Sequence, residues 1–371
     1  MKLNKLCNSI SITVDKNKQN LIFLNTSDVL NGKILHCNYS IREDLPGQAK
    51  KSIKNDDILY SEIRPRNCRF AYVSVQNPND YIVSTKLMVI RRCNELIIPK
   101  YLYLYLTSPK IINHLQELAE SRSGTFPQIT FDEIKSLEIN LPSIEEQQHI
   151  IDTIGSIDDL IENNNTIIIK LENIILNLYR KKSIEWKKQV KIGDLFKCIL
   201  GGTPSTKKNE YWDGDIAWVN SGEVNKLRIV SPSRYITKDG LENSATKLLP
   251  KKTTVIAITG ATLGQVSLLE IDSCTNQSVI GILENNTLKH DFIYPMMINA
   301  IKKLVLNKTG GAQQHINKND VETFEIFVPS EIEYFEYSQI IQPIFEYQSK
   351  LILQNKELLL LKNKYLQKFF G

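Results

Sequence analysis

The sequence predicts an α+β protein: two pseudo-repeated mixed α/β domains joined by two long antiparallel coiled-coil helices. Three observations carry this. The chain of 371 residues repeats itself at an offset of 187. Each repeat opens with short Val/Ile/Tyr/Phe/Thr runs broken by Gly, Pro, Asn and Asp, which are strand and turn signals. Each repeat closes on a long heptad-patterned segment that follows a proline. The implied boundaries are 1–143 for the first domain, 144–186 for its helix, 187–330 for the second domain and 331–371 for its helix.

The repeat is clearest at the end of each domain. Gly124 meets Gly311 and Ile129 meets Ile316, and the register runs ungapped through Ile134/Val321, Leu137/Phe324, Ile139/Ile326, Leu141/Val328, Pro142/Pro329 and Ser143/Ser330. Upstream the match loosens. Phe23–Val29 is similar to Trp218–Val224, and Ile58-Leu59 and Val255-Ile256 each open a β-like run. A period this long denotes a duplicated domain rather than a solenoid. Helical patches at Tyr101–Glu120 and Asp291–Leu306 interrupt the strand signals.

From Ile144 to Lys182 only Gly155 breaks a helical pattern. Ile150, Ile154, Ile157, Ile161, Ile168, Leu171, Ile175 and Leu178 form a heptad seam with one polar position, Asn164. Adding 190 places a second seam through Ile340, Ile344, Tyr347, Leu351, Leu358, Leu361 and Tyr365, with Gln354 as its polar position and fraying at Lys368. Asn164 and Gln354 are therefore expected to share one central layer and to specify register. Either direction of pairing satisfies that layer, and the domain of ordinary size between the helices favours the antiparallel one. Each seam is ~42 Å long at the rise of an α-helix.

Net charge is +5, a modest excess that by itself identifies no partner. Its distribution says more. The first domain carries 19 basic and 14 acidic residues and the second 18 and 14, whereas the first helix carries 4 and 8. The six cysteines form no C-x-x-C pair, so neither a zinc site nor a redox pair is expected. The N-terminus shows no apolar signal region, and no run reaches the ~18 apolar residues of a membrane span. The expected location is the cytoplasm.

No catalytic constellation is legible. Gly201–Lys207 lacks P-loop spacing, and Gly260-Ala261-Thr262-Leu263-Gly264 is a turn pattern. Asn77-Pro78-Asn79-Asp80 lacks the aromatic residue with which an amino-methyltransferase holds a flipped base. Asp57 and Glu62 lack the lysine of a nuclease site, and the five histidines are scattered. Neither a metal site nor a bound cofactor is expected in this chain.

DNA-contacting residue types are better represented. Arg64, Arg66 and Arg69 follow the run Ile58–Ser61, Arg91 and Arg92 follow another, Lys207 and Lys208 lie in a Gly/Thr/Ser loop, and Lys251 and Lys252 precede a strand. Arg and Lys pair with guanine edges and phosphates, while Asn and Gln read adenine. The candidate DNA-binding set is Arg64, Arg66, Arg69, Lys86, Thr125 and Gln128 in the first domain. In the second it is Thr203, Ser205, Lys207, Lys208, Asn220, Ser221, Thr262, Gln277, Gln313 and Gln314.

The twofold layout resembles the specificity subunits of type I restriction–modification systems. The resemblance rests on Gly201–Ser205, Trp218–Glu223, Thr259–Gly264, Ser123–Ile129 and the run Leu141–Gln147 leading into a long helix. It implies a non-catalytic, DNA-recognising subunit whose two target-recognition domains each read half of a bipartite site, with the helices as spacer. It implies two modification subunits carrying S-adenosylmethionine-dependent adenine methylation, and restriction subunits using ATP and Mg for translocation and cleavage. A spacer of this length is comparable with one duplex turn of ~34–36 Å. One departure is the second helix start, where Glu336-Tyr337 stands for Glu146-Gln147. The domains also differ between Ser61–Arg69 and Ile258–Gln265, so an asymmetric target is expected. The alternatives are a stand-alone DNA methyltransferase or nuclease, and a coiled-coil scaffold without a DNA role.

Overall fold

Short β-branched runs bounded by turn residues form strands wherever both of their faces can be buried. The computed structural model, which describes residues 1–14, 17–121, 127–306 and 315–371, contains two units. The first comprises Met1–Leu160 with Leu358–Gly371, the second Ile161–Glu357.

In the first unit the strands are β1 (Cys7–Ser9), β2 (Asn20–Leu24), β3 (Val29–Leu30), β4 (Lys33–Ile34), β5 (Ser40–Ile41), β6 (Ala49–Ser52), β7 (Ile58–Ser61), β8 (Phe70–Tyr72), β9 (Tyr81–Ser84) and β10 (Leu87–Arg92). Helices α1 (Pro99–Leu106), α2 (Pro109–Ser121) and α3 (Phe131–Ser136) precede the long α4 (Ile144–Ser183). An antiparallel sheet runs β1-β10-β7-β8, and a second sheet β5-β2-β9-β6 contains one parallel pair, β2 with β9. The period-2 pleat sends Ile58, Tyr60, Met88 and Ile90 into one core with α1 and α2. It sends Leu59, Leu87 and Val89 into another with Ile22, Leu24 and Val83. Burial on both faces explains why Ile58–Tyr60 and Leu87–Ile90 are apolar without alternation.

The second unit repeats this plan. Its elements are β11 (Lys188–Lys191), α5 (Ile192–Leu195), β12 (Cys198–Leu200), β13 (Trp212–Val219), β14 (Arg228–Ile229), β15 (Arg234–Ile236) and α6 (Lys238–Glu242). They continue with β16 (Thr254–Ala257), β17 (Val266–Leu269), β18 (Cys274–Thr275), β19 (Val279–Ile282), α7 (His290–Leu306), α8 (Lys318–Glu322), β20 (Glu325–Val328) and α9 (Glu331–Phe370). The order β12-β19-β16-β17 matches β1-β10-β7-β8, with β14 added at the edge. The β15-β13-β18 sheet again holds one parallel pair, β13 with β18. Duplication is thus visible in topology as well as in sequence. Among the described residues no helix is long and apolar enough to cross a membrane.

The two long helices pair antiparallel. In the second unit Asn164 bonds Gln354 and Asn355, whereas Gln348 reaches the Ile168 carbonyl. In the first unit Ile150 and Ile154 share a core with Leu366 and Phe370, and Lys362 pairs with Asp158. The α4 seam is buried at Ile150, Ile154, Ile157, Asn164, Ile168 and Ile175, as the heptads predict. The α9 seam is displaced by one residue. Ile340, Tyr347 and Leu361 are 52, 48 and 41% exposed, while Ile341, Phe345, Gln348, Asn355, Leu366 and Phe370 are buried. An offset of 191 carries Ile150, Ile154, Asn164, Ile175 and Tyr179 onto the buried Ile341, Phe345, Asn355, Leu366 and Phe370, but carries Ile168 onto the exposed Leu359; the offset of 190 holds at Leu351, which is buried as expected. One residue turns a helix by about 100°, enough to rotate Ile340, Tyr347 and Leu361 out of the contact, while Leu351 of the expected seam stays buried and Ile344 and Tyr365 pack at its edge. The buried polar partner of Asn164 is therefore Asn355; Gln354 accepts from Asn164 at the rim of the same layer.

Candidate nucleic-acid interface

The loops that follow β7 and β16 share one backbone design at an offset of 196. Ser61 N–H donates to Arg69 O and Ala257 N–H to Gln265 O, each at 2.9 Å. Glu62 N–H donates to Lys86 O and Ile258 N–H to Ser278 O; the carbonyls of Glu62 and Ile258 accept from Ile129 and Ile316. Each loop bends twice through left-handed backbone four residues apart, at Arg64 (φ 45°) and Cys68 (φ 52°) in one, Gly260 (φ 71°) and Gly264 (φ 81°) in the other. Glycine adopts this conformation freely, whereas L side chains pay roughly 1–2 kcal/mol. Strain of that kind concentrates at functional sites. The side chains on this common frame differ: Arg64, Arg66 and Arg69 stand where Gly260, Thr262 and Gln265 stand.

In the first loop the arginines are held differently. Arg64 is exposed, and no carboxylate pairs with it among the described residues. The Arg66 Nε donates to Asn113 Oδ1 at 3.4 Å, and its backbone N–H to Gln116 Oε1. Arg69 turns inward and donates to the carbonyls of Ser27 and Val29, which ties the loop to the turn below it. Lys86 lies 3.6 Å from Glu62. Gln128 bridges Ile63 beside Pro127, whose carbonyl accepts from Arg64 N–H. The structure therefore gathers Arg64, Arg66, Lys86 and Gln128 around one loop. Thr125, Gln313 and Gln314 lie outside the described residues.

In the second unit a chain of contacts runs outward from the loop. Ile258 bonds Ser278; the neighbouring Gln277 accepts from the Thr203 hydroxyl; Ser205 O accepts from Trp212 Nε1 at 3.2 Å. The exposed guanidinium of Arg234 lies 3.8 Å from the centre of the buried Trp212 ring, a cation–π stack outside the sequence-derived set. Lys208 donates to the Tyr211 hydroxyl at 2.8 Å, a bond that raises its pKa and keeps it charged. Lys207 is exposed beside it, and Thr262 is half-buried in the β16–β17 loop. Arg234 had a weak signal: it is one of two arginines, with Arg228, that follow Trp212 and Trp218 in a strand-rich segment.

Asn220 and Ser221 belong to a different device. Asn220 Oδ1 accepts from Gly222 N–H at 2.7 Å and its Nδ2 donates to Ser233 Oγ, while Glu223 accepts from Asn220 N–H. The 3₁₀ turn Ser221–Glu223 is thus closed by a capping box. Asn25 and Asp28 close Thr26–Asp28 in the same way. This shared cap is the physical content of the similarity between Phe23–Val29 and Trp218–Val224, and it engages the Asn220 amide internally. Among the described residues no three His, Cys, Asp or Glu side chains are gathered in a metal-holding arrangement.

Residues 2–173 and 183–362 each match the family described as the type I restriction modification DNA specificity domain. The chain is 30% identical to the type I restriction enzyme HindI specificity subunit of Haemophilus influenzae, over 96% of this chain and 95% of that one. It is 24% identical to the type I restriction enzyme MjaIX specificity subunit of Methanocaldococcus jannaschii, over 72% and 66%. Its fold is similar to the crystal structure of a type I restriction-modification system S subunit from M. genitalium, with a TM-score of 0.55 at 14% identity over 100% of this chain and 95% of that one.

Proposed function

Since the chain belongs to the type I restriction–modification DNA specificity family, we propose that each recognition domain reads one half of an asymmetric bipartite duplex site while the paired helices set the gap. The observation that carries this reading is the common loop frame bearing unlike side chains. A shared frame aims both loops at the same kind of surface, and unlike side chains ask for unlike bases. Arg64 and Arg66 suit guanine edges or phosphates; the second domain offers Thr262, Gln277 and Thr203 with the cations Lys207, Lys208 and Arg234 around them.

In this reading the chain acts without chemistry of its own. Adenine methylation with S-adenosylmethionine belongs to two modification subunits, and ATP- and Mg-dependent translocation and cleavage to restriction subunits, all working on cytoplasmic DNA. The exposed apolar residues Ile332, Phe335 and Ile340 near the start of α9 supply a docking face for a modification subunit. Footprinting on duplexes with either half scrambled tests the proposal: each scramble is expected to erase protection over its own half alone. Protection that ignores both scrambles, or methyl transfer by the purified chain by itself, contradicts it.

A further inference from the structure

Arg228, on edge strand β14, has a side chain fully shielded from solvent. It lies between the rings of Tyr294 on α7 and Phe345 on α9, 4.4 and 5.2 Å from their centres. It donates to the Gln348 side chain on α9, and its guanidinium is 4.0 Å from Glu172 on α4 and 3.9 Å from Glu270 at the end of β17. Glu270 is equally buried. It accepts two 2.8 Å bonds from Lys252 and one of 2.7 Å from Ser349 on α9. Glu172 accepts from the Tyr294 hydroxyl at 2.8 Å and from Gln348 Nε2 at 3.1 Å. With the half-exposed Lys251 3.8 Å from Glu270 at the rim, two cations, Arg228 and Lys252, and two carboxylates thus meet in one network. It joins the domain's sheet edge to both long helices.

Such a network is a poor choice for stability alone. Burying charge is costly, and apolar residues of similar volume commonly do as well or better. Among the described residues Arg228 Nε finds no hydrogen-bond partner. What a polar network adds is direction, because hydrogen bonds weaken steeply with angle whereas apolar surfaces slide. A domain docked on a helix pair by apolar contact alone keeps some freedom to rock. Docked through Arg228 and Glu270, it keeps one orientation.

We propose that the Arg228–Glu270–Lys252 network positions the second recognition domain on the helix pair and thereby sets how strictly the protein demands one gap length. The inference rests on the bipartite reading above. One inserted base pair moves a half-site by ~3.4 Å and rotates it by roughly 35°. A rigidly held domain rejects that change and a rocking one absorbs it.

The test uses the complete chain assembled with its modification subunit. Methylation rates are measured on duplexes that keep both half-sites and vary the gap by single base pairs. The unmodified chain is expected to prefer one gap by on the order of tenfold over its neighbours, the scale of a misplaced contact. The double variant Arg228→Met/Glu270→Gln removes one charge of each sign and is expected to narrow that preference to about threefold with half-site base preferences unchanged. Arg228→Lys retains the charge but loses the planar fork. It is expected to fall between them, and it carries the test should the double variant not fold. Folded variants with the original gap profile, or with an equal loss at every gap, overturn the proposal. A wild-type complex indifferent to half-site substitutions would instead mark failure of the bipartite reading.

Discussion

Asn164 on α4 donates through Nδ2 to Asn355 Oδ1 on α9 at 2.9 Å, and both side chains are buried in the helix seam. Buried asparagines in a coiled-coil seam cost stability and specify register. Replacing both, Asn164→Ile with Asn355→Leu, is expected to raise unfolding free energy by on the order of 1–2 kcal/mol and to admit additional oligomers. Denaturant unfolding and solution mass measure this. A lower midpoint with unchanged mass contradicts it.

Gln147 fastens the first domain to its helix. It is fully buried, accepts from Ile98 N–H at 2.9 Å, and donates to the carbonyls of Leu96 and Pro142. Gln147→Ala strands three backbone groups and is expected to cost about 3 kcal/mol. The second domain uses tyrosines for the same junction: Tyr334 accepts from Lys289 N–H and donates to Asp291, and Tyr337 donates to Asp291 O. Tyr337→Phe removes one bond and is expected to cost about 1 kcal/mol. Equal effects of the two substitutions in urea unfolding contradict this ranking.

Arg64 permits strain and recognition to be separated. Arg64→Gly places in the first loop the residue that the second loop uses, relieving left-handed strain of about 1 kcal/mol while removing the guanidinium. It is expected to melt no lower than the parent protein yet to lose contact at the first half-site alone. If the lost contact is to phosphate, the slope of log affinity against log salt falls by about 0.9. Equal weakening at both half-sites, read by footprinting, goes against the assignment.

Asp291 is expected to make stability pH-dependent. Burial raises its pKa above the ordinary aspartate value, opposed by the hydrogen bond from Tyr334. A carboxyl whose folded pKa is raised stabilises the fold while protonated. That contribution is complete below the unfolded pKa and is lost as pH rises through the folded one. Asp291→Asn keeps an acceptor for Tyr334 without the charge. Its stability relative to the parent should therefore grow from acid toward neutral pH, as followed by denaturant unfolding. A difference independent of pH contradicts the assignment.

The duplicated architecture was legible because strand runs such as Ile58–Tyr60 and Val255–Ala257 must be apolar to be buried on two faces, and because α4 repeats its seam with Asn164 as the one polar position. The α9 register was not legible. Its exposed apolar residues Ile340, Tyr347 and Leu361 mimic a seam as well as the buried ones do. The network around Arg228 was silent for another reason: in sequence, a buried arginine looks like a surface one until its partners at 172, 270 and 348 are brought together by folding. Asn220 likewise resembles a base-reading amide until the turn it caps is formed. The arginine-bearing loop was readable as a basic patch, but only its backbone match to Gly260–Gly264 reveals it as one of two copies of a frame.

In the proposed function, two like-framed, unlike-faced domains read one asymmetric split site. Methylated adenines mapped across a genome, in cells with the cognate modification subunit and with or without this chain, test it most directly. The expected result is a methylated motif of two different half-sites separated by a fixed unspecified gap, present only when the chain is present. A continuous motif, a motif of two identical halves, or methylation that persists without the chain would contradict it.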